Sequence, residues 1–416
     1  MAIDWKSRYA QRNRSMGRSI IRELLKMTTQ PDLISLAGGL PAPELFPIER
    51  IREATGRLLD GEANVALQYG QTEGYLPLRQ YICEQMARYG IQAKPTNVVV
   101  THGSQQALDL VGKALIDPGN RILVEEPSYL GALQAWSSYQ ADYTSVPIDD
   151  EGLCTHLLED ALTPEPKFMY ILPNFQNPSG ATLSMDRRQE LVRISNSRGI
   201  PILEDDPYGA LRFEGKHIPS LVVLDARYQI ATGRYQRGFE DSNVIYLGTF
   251  SKTLAPGLRL GWVVAPDEIL DKIVISKQGA DLHTSTFTQV LVYEIVKDGF
   301  LEEHIHLIRQ MYRQRRDSML QALERYFPEE CDWTRPQGGL FLWARGPDWL
   351  DTANLLAEAV SHKVAYVPGS AFYADPTHGK NTMRLNFSNM SPEQIAEGIK
   401  RLGTLLKKVI LEHTAQ

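Results

Sequence analysis

The stretch "YLGTFSKTLAPGLRLGW", Tyr246 to Trp262, ends an apolar run and then sets Lys252 among hydroxyl, glycine and proline residues, with Arg259 seven positions on. A lysine is ordinarily a solvated surface charge. One that projects from the end of a buried strand, desolvated or beside another cation, has a lowered pKa and adds to carbonyl carbons as a nucleophile. Thr249 and Ser251 supply hydroxyl donors and Arg259 a fixed charge, a set suited to a phosphate group. An imine-forming lysine beside a phosphate site is what pyridoxal phosphate requires.

That chemistry makes demands elsewhere in the chain. A carboxylate must face the pyridine nitrogen, and "PILEDDPYG" offers Asp205 and Asp206, which otherwise read as an ordinary acidic loop. The ring's phenolic oxygen needs polar donors; Asn177 in "LPNFQNPSG" and Tyr208 can provide them, although Asn-Pro is also simply a turn. In "THGSQQALDL" the backbone amides of Ser104 and Gln105 open a helix, a position that favours an anion. Arg384 in "NTMRLNFS" can grip a carboxylate bidentately, in place of the surface salt bridge usual for a strand arginine.

These residues need elements that hold them, and the chain supplies a repeating pattern. "NVVVTHGSQQALDLVGKAL" reads as strand, turn and helix, with Ala107, Leu110, Val111, Ala114 and Leu115 at helical spacing. Short apolar runs recur in "RILVEEP", "KFMYILP", "IPILEDD", "NVIYLGTFSK" and "GWVVAP", and the amphipathic "SMDRRQELVRISNSRG" lies between the third and fourth of the six. Strands that are apolar throughout, separated by helices, predict an α/β fold with a mostly parallel sheet covered on both faces. Ligands in such sheets bind beyond the C-terminal strand ends, where every cluster above falls.

Outside this unit, residues 16–28 predict a helix leading into the extended "LISLAGGLPAPELFP". From Gly299 a long amphipathic helix precedes "GGLFLWARG", "KVAYVPGSAF" and "NTMRLNFSN", strands of a smaller α+β unit. The expected organisation is a helix and arm over 1–45 belonging to the small domain, a large domain over 46–298 and a small C-terminal domain over 299–416. Residues 225–242 are polar and weakly patterned, a surface loop or a cover over the site.

Composition excludes several classes. The chain has 416 residues and a formal net charge of −6, so it lacks a basic field for nucleic acid or an anionic membrane. Three scattered cysteines suggest neither zinc nor a disulfide framework and suit a reducing cytoplasm. No signal peptide or run of about 18 apolar residues is present.

Taken in order, "YGQTEGYLPLR", "THGSQQALDL", "PNFQNPSG", "EDDPYG", "GTFSKTLAPGLRLGW" and "MRLNFS" resemble the class I/II aminotransferases, fold type I pyridoxal phosphate enzymes with the aspartate-aminotransferase fold. The resemblance spans residues 20 to 410, and within the family "SLAGGLPAPELFP" is most similar to the 2-aminoadipate and kynurenine aminotransferases. It implies a ping-pong transfer of the α-amino group of an L-amino acid to a 2-oxo acid, 2-oxoglutarate by analogy. Lys252 would be the Schiff-base lysine and acid/base, Asp205 the partner of the pyridine nitrogen, and Tyr208 and Asn177 contacts of the phenolic oxygen. Ser104, Gln105, Thr249, Ser251 and Arg259 would hold phosphate, Tyr129 would stack on the ring, and Tyr69 would reach the phosphate of a neighbouring subunit in a homodimer with shared sites. Gly39, Asn177 and Arg384 would meet the substrate, Arg384 taking its α-carboxylate and Arg22 a second one. The peptide before Pro178 is a candidate for the cis form. The same fold carries β-elimination, decarboxylation and cyclisation, and the aminotransferase-like half of GntR-type regulators looks similar; the latter needs a DNA-binding domain, for which about 15 residues before the first helix leave no room.

Overall fold

The computed structural model describes residues 2–14 and 32–415, so the helix expected over 16–28, Arg22 included, lies outside the described residues. Eight strands form the central sheet: β1 (Val98–Thr101), β2 (Arg121–Glu126), β3 (Asp142–Asp149), β4 (Gly152–Leu153), β5 (Met169–Ile171), β6 (Ile202–Asp205), β7 (Val244–Thr249) and β8 (Gly261–Val264). Their spatial order is β1-β8-β7-β6-β5-β2-β3-β4. β3, β2, β5, β6 and β7 pair in parallel, β8 runs antiparallel between β7 and β1, and β4 is antiparallel to β3.

The sheet is covered on both faces, which is why β1, β5, β6 and β7 are buried at every position. Val244 and Tyr246 pack into one apolar cluster with Leu78, Ile82 and Ile305, while Ile245 and Leu247 pack into another with Leu108 and Val111. This is the two-residue alternation of a strand with a core on each side. β3 departs from the pattern: only Val146 is buried along "DYTSVPID", close to the sheet's edge, and the apolar-run criterion passes over it.

A second, antiparallel sheet holds β9 (Asp332–Trp333), β10 (Phe341–Arg345), β11 (Val367–Pro368) and β12 (Thr382–Asn386) in the order β9-β10-β12-β11. The helices Phe300–Tyr326 and Pro392–Thr414 pack against it through Ile308, Tyr312, Leu323, Ile399 and Leu402. The N-terminal arm is tied in by backbone: Ile34–Ser35 pairs in parallel with Val364–Ala365, and Asn386 N donates to Leu36 O at 2.8 Å. This delivers Ala37 to Gly39 and Arg384 to one place.

The stretch 225–242 is no cover over the site. Its first part belongs to the helix Leu221–Ala231, whose pattern is masked because Asp225 and Gln229 are polar yet buried. Asp225 accepts from Asn196 Nδ2 (2.7 Å), Gln229 Nε2 (3.1 Å), Ser242 Oγ (3.1 Å) and Asn243 N (2.9 Å). Glu240 then accepts from Asn97 Nδ2 and Asp267 N, each at 2.7 Å, at the end of the sheet opposite Asp205. Removing an acceptor that four donors share, all buried or half-buried, leaves those donors unpaired. Asp225→Ala is expected to cost about 2–4 kcal/mol in urea unfolding while kcat/KM stays within twofold; a stable variant with altered kcat/KM would return the segment to the site.

Candidate active site

Four strand ends and the arm converge on Lys252. Beyond β1, Gly103 at φ +74° turns the chain into α1 (Ser104–Leu115). A Cβ at Gly103 would lie 2.6 Å from Arg259 Nη2, and one at Gly261 would lie 2.8 Å from Ser104 N, so the loop after Lys252 is pressed onto the start of α1. Arg259 itself adopts φ +51° and donates to Pro256 O (3.3 Å) and His102 O (3.4 Å). The first amides of α1 have no intrahelical carbonyl to reach, and Ser104 Oγ is buried with no partner among the described residues. A guanidinium against the positive end of a helix is repulsive until an anion lies between them. The arrangement therefore suits an anion such as a phosphate.

The hydroxyls beside it divide the work. Thr249 Oγ1 accepts from Ser251 N (3.1 Å) and has one proton for two acceptors, Leu260 O and Ser251 Oγ, both at 3.0 Å. It braces the loop internally and leaves Ser251 as the hydroxyl free to donate outward. The side chain of Gln105 is also engaged, Nε2 donating to Gly131 O (2.8 Å) and Oε1 accepting from Tyr129 OH (3.5 Å), which leaves its backbone amide as the group that could meet an anion.

The two aspartates at the end of β6 separate clearly. Asp206 accepts from Asn174 Nδ2 (2.9 Å), Gly209 N (2.9 Å) and Tyr246 OH (3.3 Å), and so fixes the turn that presents Tyr208. Asp205 Oδ2 accepts from Tyr170 OH at 2.8 Å, whereas its Oδ1 is buried with no partner among the described residues. Burial raises its pKa from 3.8 to about 7, against the opposing hydrogen bond from Tyr170 and with a contribution from Asp206. A protonated ring nitrogen is the partner that would reverse this shift.

Lys252 Nζ donates to Gly39 O at 2.9 Å. Burial, then the charges of Arg384 and Arg259, push its pKa down from 10.5 to about 8. Arg384 enters from β12: Nη1 donates to Asn177 Oδ1 and Nη2 to Ala37 O, both at 2.8 Å, while its buried Nε has no partner. Its guanidinium lies 4.2 Å from the ring centre of Phe341 and 4.8 Å from that of Phe372. Asn177, preceding the cis peptide to Pro178, also hydrogen-bonds Tyr208, whose own pKa is raised by burial. Phe341 further restricts the arm, since a Cβ at Gly39 would come within 2.7 Å of its Cζ. Tyr69 stands apart from all of these, 79 % exposed, in edge contact with His283 at 5.8 Å.

Several positioning groups escaped sequence reasoning. Tyr170 lies mid-strand in an apolar run, with nothing to mark its hydroxyl as the partner of Asp205. Gln176 links the Asn177 turn to the chain before Tyr129: Nε2 donates to Pro127 O (2.7 Å) and Glu125 Oε2 (3.3 Å), and Oε1 accepts from Ser179 N (3.0 Å) and Oγ (2.7 Å). Glu125 is fully buried with its pKa raised to about 8.

Three buried polar atoms, Ser104 Oγ, Asp205 Oδ1 and Arg384 Nε, have no partner among the described residues. They suit a phosphate, a ring N–H and a carboxylate respectively. The sequence profile of aminotransferase class I and II matches residues 31–402. The chain belongs to that family. It is 45 % identical to aromatic-amino-acid aminotransferase 1 of Thermococcus litoralis, over 98 % of this chain and 95 % of that protein. It is 44 % identical to 2-aminoadipate transaminase of Thermus thermophilus, over 98 % of each chain. Pyrococcus horikoshii kynurenine aminotransferase, solved in complex with PMP, superposes with a TM-score of 0.91 at 43 % identity over 98 % of both chains. This aminotransferase, like its family, depends on pyridoxal phosphate.

Two outcomes follow from the pKa directions. Capture of pyridoxal phosphate by the cofactor-free enzyme needs the neutral Lys252 amine, so its rate is expected to rise through about pH 8 and level off above; an inflection near the ordinary 10.5 would refute the lowered value. Asp205 keeps its proton to about pH 7 in the folded chain and loses it at 3.8 when solvated, so the native state binds the extra proton between those values and stability falls as pH rises through that window. In cofactor-free thermal melts, Asp205→Asn is therefore expected to gain about 2 °C or more over wild type at pH 8 and little at pH 4, while binding the cofactor more weakly.

Proposed function

We propose that the enzyme moves the α-amino group of L-amino acids with long or aromatic side chains to 2-oxoglutarate, with roles placed on the residues that converge at Lys252. The carrying observation is the pairing of Lys252 Nζ, held by Gly39 O beside two arginines, with Arg384 Nε left unpartnered and buried. Bound pyridoxal phosphate supplies the aldehyde carbon that receives the amino group and the ring that takes up the electron pair. The chain supplies the rest. Ser104, the amides of Ser104 and Gln105, Ser251 and Arg259 hold the phosphate, with Thr249 bracing Ser251, and Tyr129 covers the ring. Asp205, with its unpartnered Oδ1, would pair with the ring nitrogen and keep it protonated, and Tyr208 and Asn177 would donate to the phenolic oxygen. Arg384 receives the substrate α-carboxylate, its orientation fixed by Asn177, Ala37 O and two phenylalanine rings. Lys252 Nζ, neutral at its lowered pKa, removes the Cα proton and returns it on the cofactor side.

The choice of donors rests on the relatives named above, which are called aromatic-amino-acid, 2-aminoadipate and kynurenine aminotransferases. Their side chains differ in charge, a spread that suits broad specificity. The exposure of Tyr69, together with exposed Val65 and Leu67 beside it, supports a homodimer in which Tyr69 reaches the partner's phosphate. Free, buried Cys83, Cys154 and Cys331 support a cytoplasmic setting, and no helix among the described residues is long and apolar enough to cross a membrane. We assign residues 46–298 to the large domain and 1–45 with 299–416 to the small one, supported by the separate apolar clusters and the pairing of the arm.

Absorbance spectra of the holoenzyme titrated with a panel of L-amino acids test this reading. Tyrosine, kynurenine and 2-aminoadipate are expected to bleach the cofactor band and 2-oxoglutarate to restore it, one oxo acid appearing per cofactor. Lys252→Ala, loaded with cofactor, is expected to lose turnover by at least a thousandfold. Bleaching without stoichiometric oxo acid would assign another pyridoxal phosphate reaction instead.

A further inference from the structure

The helix Asp267–Asp281 packs against α1 and places a lysine where lysines are rarely found. The side chain of Lys277 is fully buried, 0 % exposed, although it pairs with Asp281 at helical spacing. Pairs four residues apart usually lie on a helix surface and contribute little. Burying an ammonium is costly unless its protons are all met. Here they are: Nζ donates to Asp281 Oδ1 and Oδ2, both at 2.8 Å, and to Gln106 Oε1 at 3.1 Å. An ammonium has three protons, so none is left for a ligand.

What the pair holds is the turn into α1. Gln106 is the third residue of that helix, whose N-cap, Gly103, has no side chain to supply a cap. Gln106 reaches back instead: Oε1 accepts from His102 N at 2.7 Å, while Nε2 donates to Asp281 Oδ2 at 2.7 Å. The carbonyl of the same residue, His102 O, accepts from Arg259 at 3.4 Å, and Gly103 is packed against that guanidinium. His102 is thus set by two cations, through its amide by way of Gln106 and Lys277, and through its carbonyl by Arg259. Gly103 N is spent on Thr101 O at 2.8 Å, which leaves the amides of Ser104 and Gln105 to meet an anion.

We propose that Lys277 is a positioning residue for the phosphate of pyridoxal phosphate: through Asp281 and Gln106 it fixes the turn at His102 to Ser104, and with it the direction of the Ser104 and Gln105 amides. This role rests on the pyridoxal phosphate reading above, in which that turn and Arg259 take the phosphate. It is confined to the phosphate, because Lys277, Asp281, Gln106 and His102 are not among the residues placed on the ring or the substrate.

The test is an absorbance titration of the cofactor-free enzyme with pyridoxal phosphate and, separately, with pyridoxal, which lacks the phosphate. Lys277→Met keeps the buried stem and removes the charge. It is expected to raise the Kd for pyridoxal phosphate about tenfold and to leave the Kd for pyridoxal within twofold. Gln106→Ala is expected to act in the same direction, by about fivefold, and decides the matter should Lys277→Met fail to fold. Equal weakening of both ligands would give the pair a general structural role, and an unchanged Kd for pyridoxal phosphate would detach it from the site; either overturns the proposal. Wild type that forms no Lys252-dependent band with pyridoxal phosphate would refute the transaminase reading itself and this role with it, so the two failures are distinguishable.

Discussion

The structure turns on burying ionisable groups without pairing them. Lys252 lies between the charges of Arg259 and Arg384, and Asp205 holds one carboxylate oxygen in a dry place with no donor. Left alone, each arrangement opposes folding, because desolvation penalises the charged form. Each is tolerated because the residue follows directly from a strand with a core on both faces, where the backbone has no latitude to turn the side chain outward. The same unmet charge is what a phosphate, a pyridinium and a carboxylate would neutralise, so the cost in the free protein and the affinity for cofactor and substrate have one origin.

Rigidity at such a site must come from two directions, since Ser104, Lys252 and Arg259 belong to the loops of the central sheet and Arg384 to the smaller one. The arm joins them. Its pairing with Val364–Ala365 and its link to Asn386 set Ala37 O against Arg384, and two residues later Gly39 O receives Lys252. Arg384 is thereby held by Asn177 from the large sheet's loops and by the arm at once. Glycine at position 39 follows from the approach of Phe341, a packing demand that coincides with the need for an exposed carbonyl.

Much of this was legible in the sequence, and the reason is local. Ser104, Asp205, Tyr208, Lys252 and Arg259 sit within a few residues of apolar strands, so their placement at strand ends could be read from pattern alone. What stayed hidden depends on contacts across sequence. Tyr170 is one aromatic in an apolar strand until β6 brings Asp205 beside it. Gln176 and Glu125 become a brace only when β2 and β5 pair. Thr249 reads as a phosphate donor, and only the fold shows that Leu260 O and Ser251 Oγ also compete for its one proton. The helix Leu221–Ala231 was obscured for a related reason: its buried positions include Asp225 and Gln229, whose polarity is answered by donors from Asn196, Ser242 and Asn243.

The two aspartates at the end of β6 show how the same residue type at adjacent positions is assigned opposite tasks. Consecutive strand residues face opposite sides of a sheet. Asp205 receives one hydrogen bond, from Tyr170, and burial raises its pKa. Asp206 receives three, and its negative charge helps to raise the pKa of Asp205. The satisfied carboxylate thus fixes the loop bearing Tyr208 and at the same time sharpens the demand of its neighbour for a cationic partner. Period-two alternation, the feature that made the strand recognisable, is also what separates the satisfied acid from the unsatisfied one.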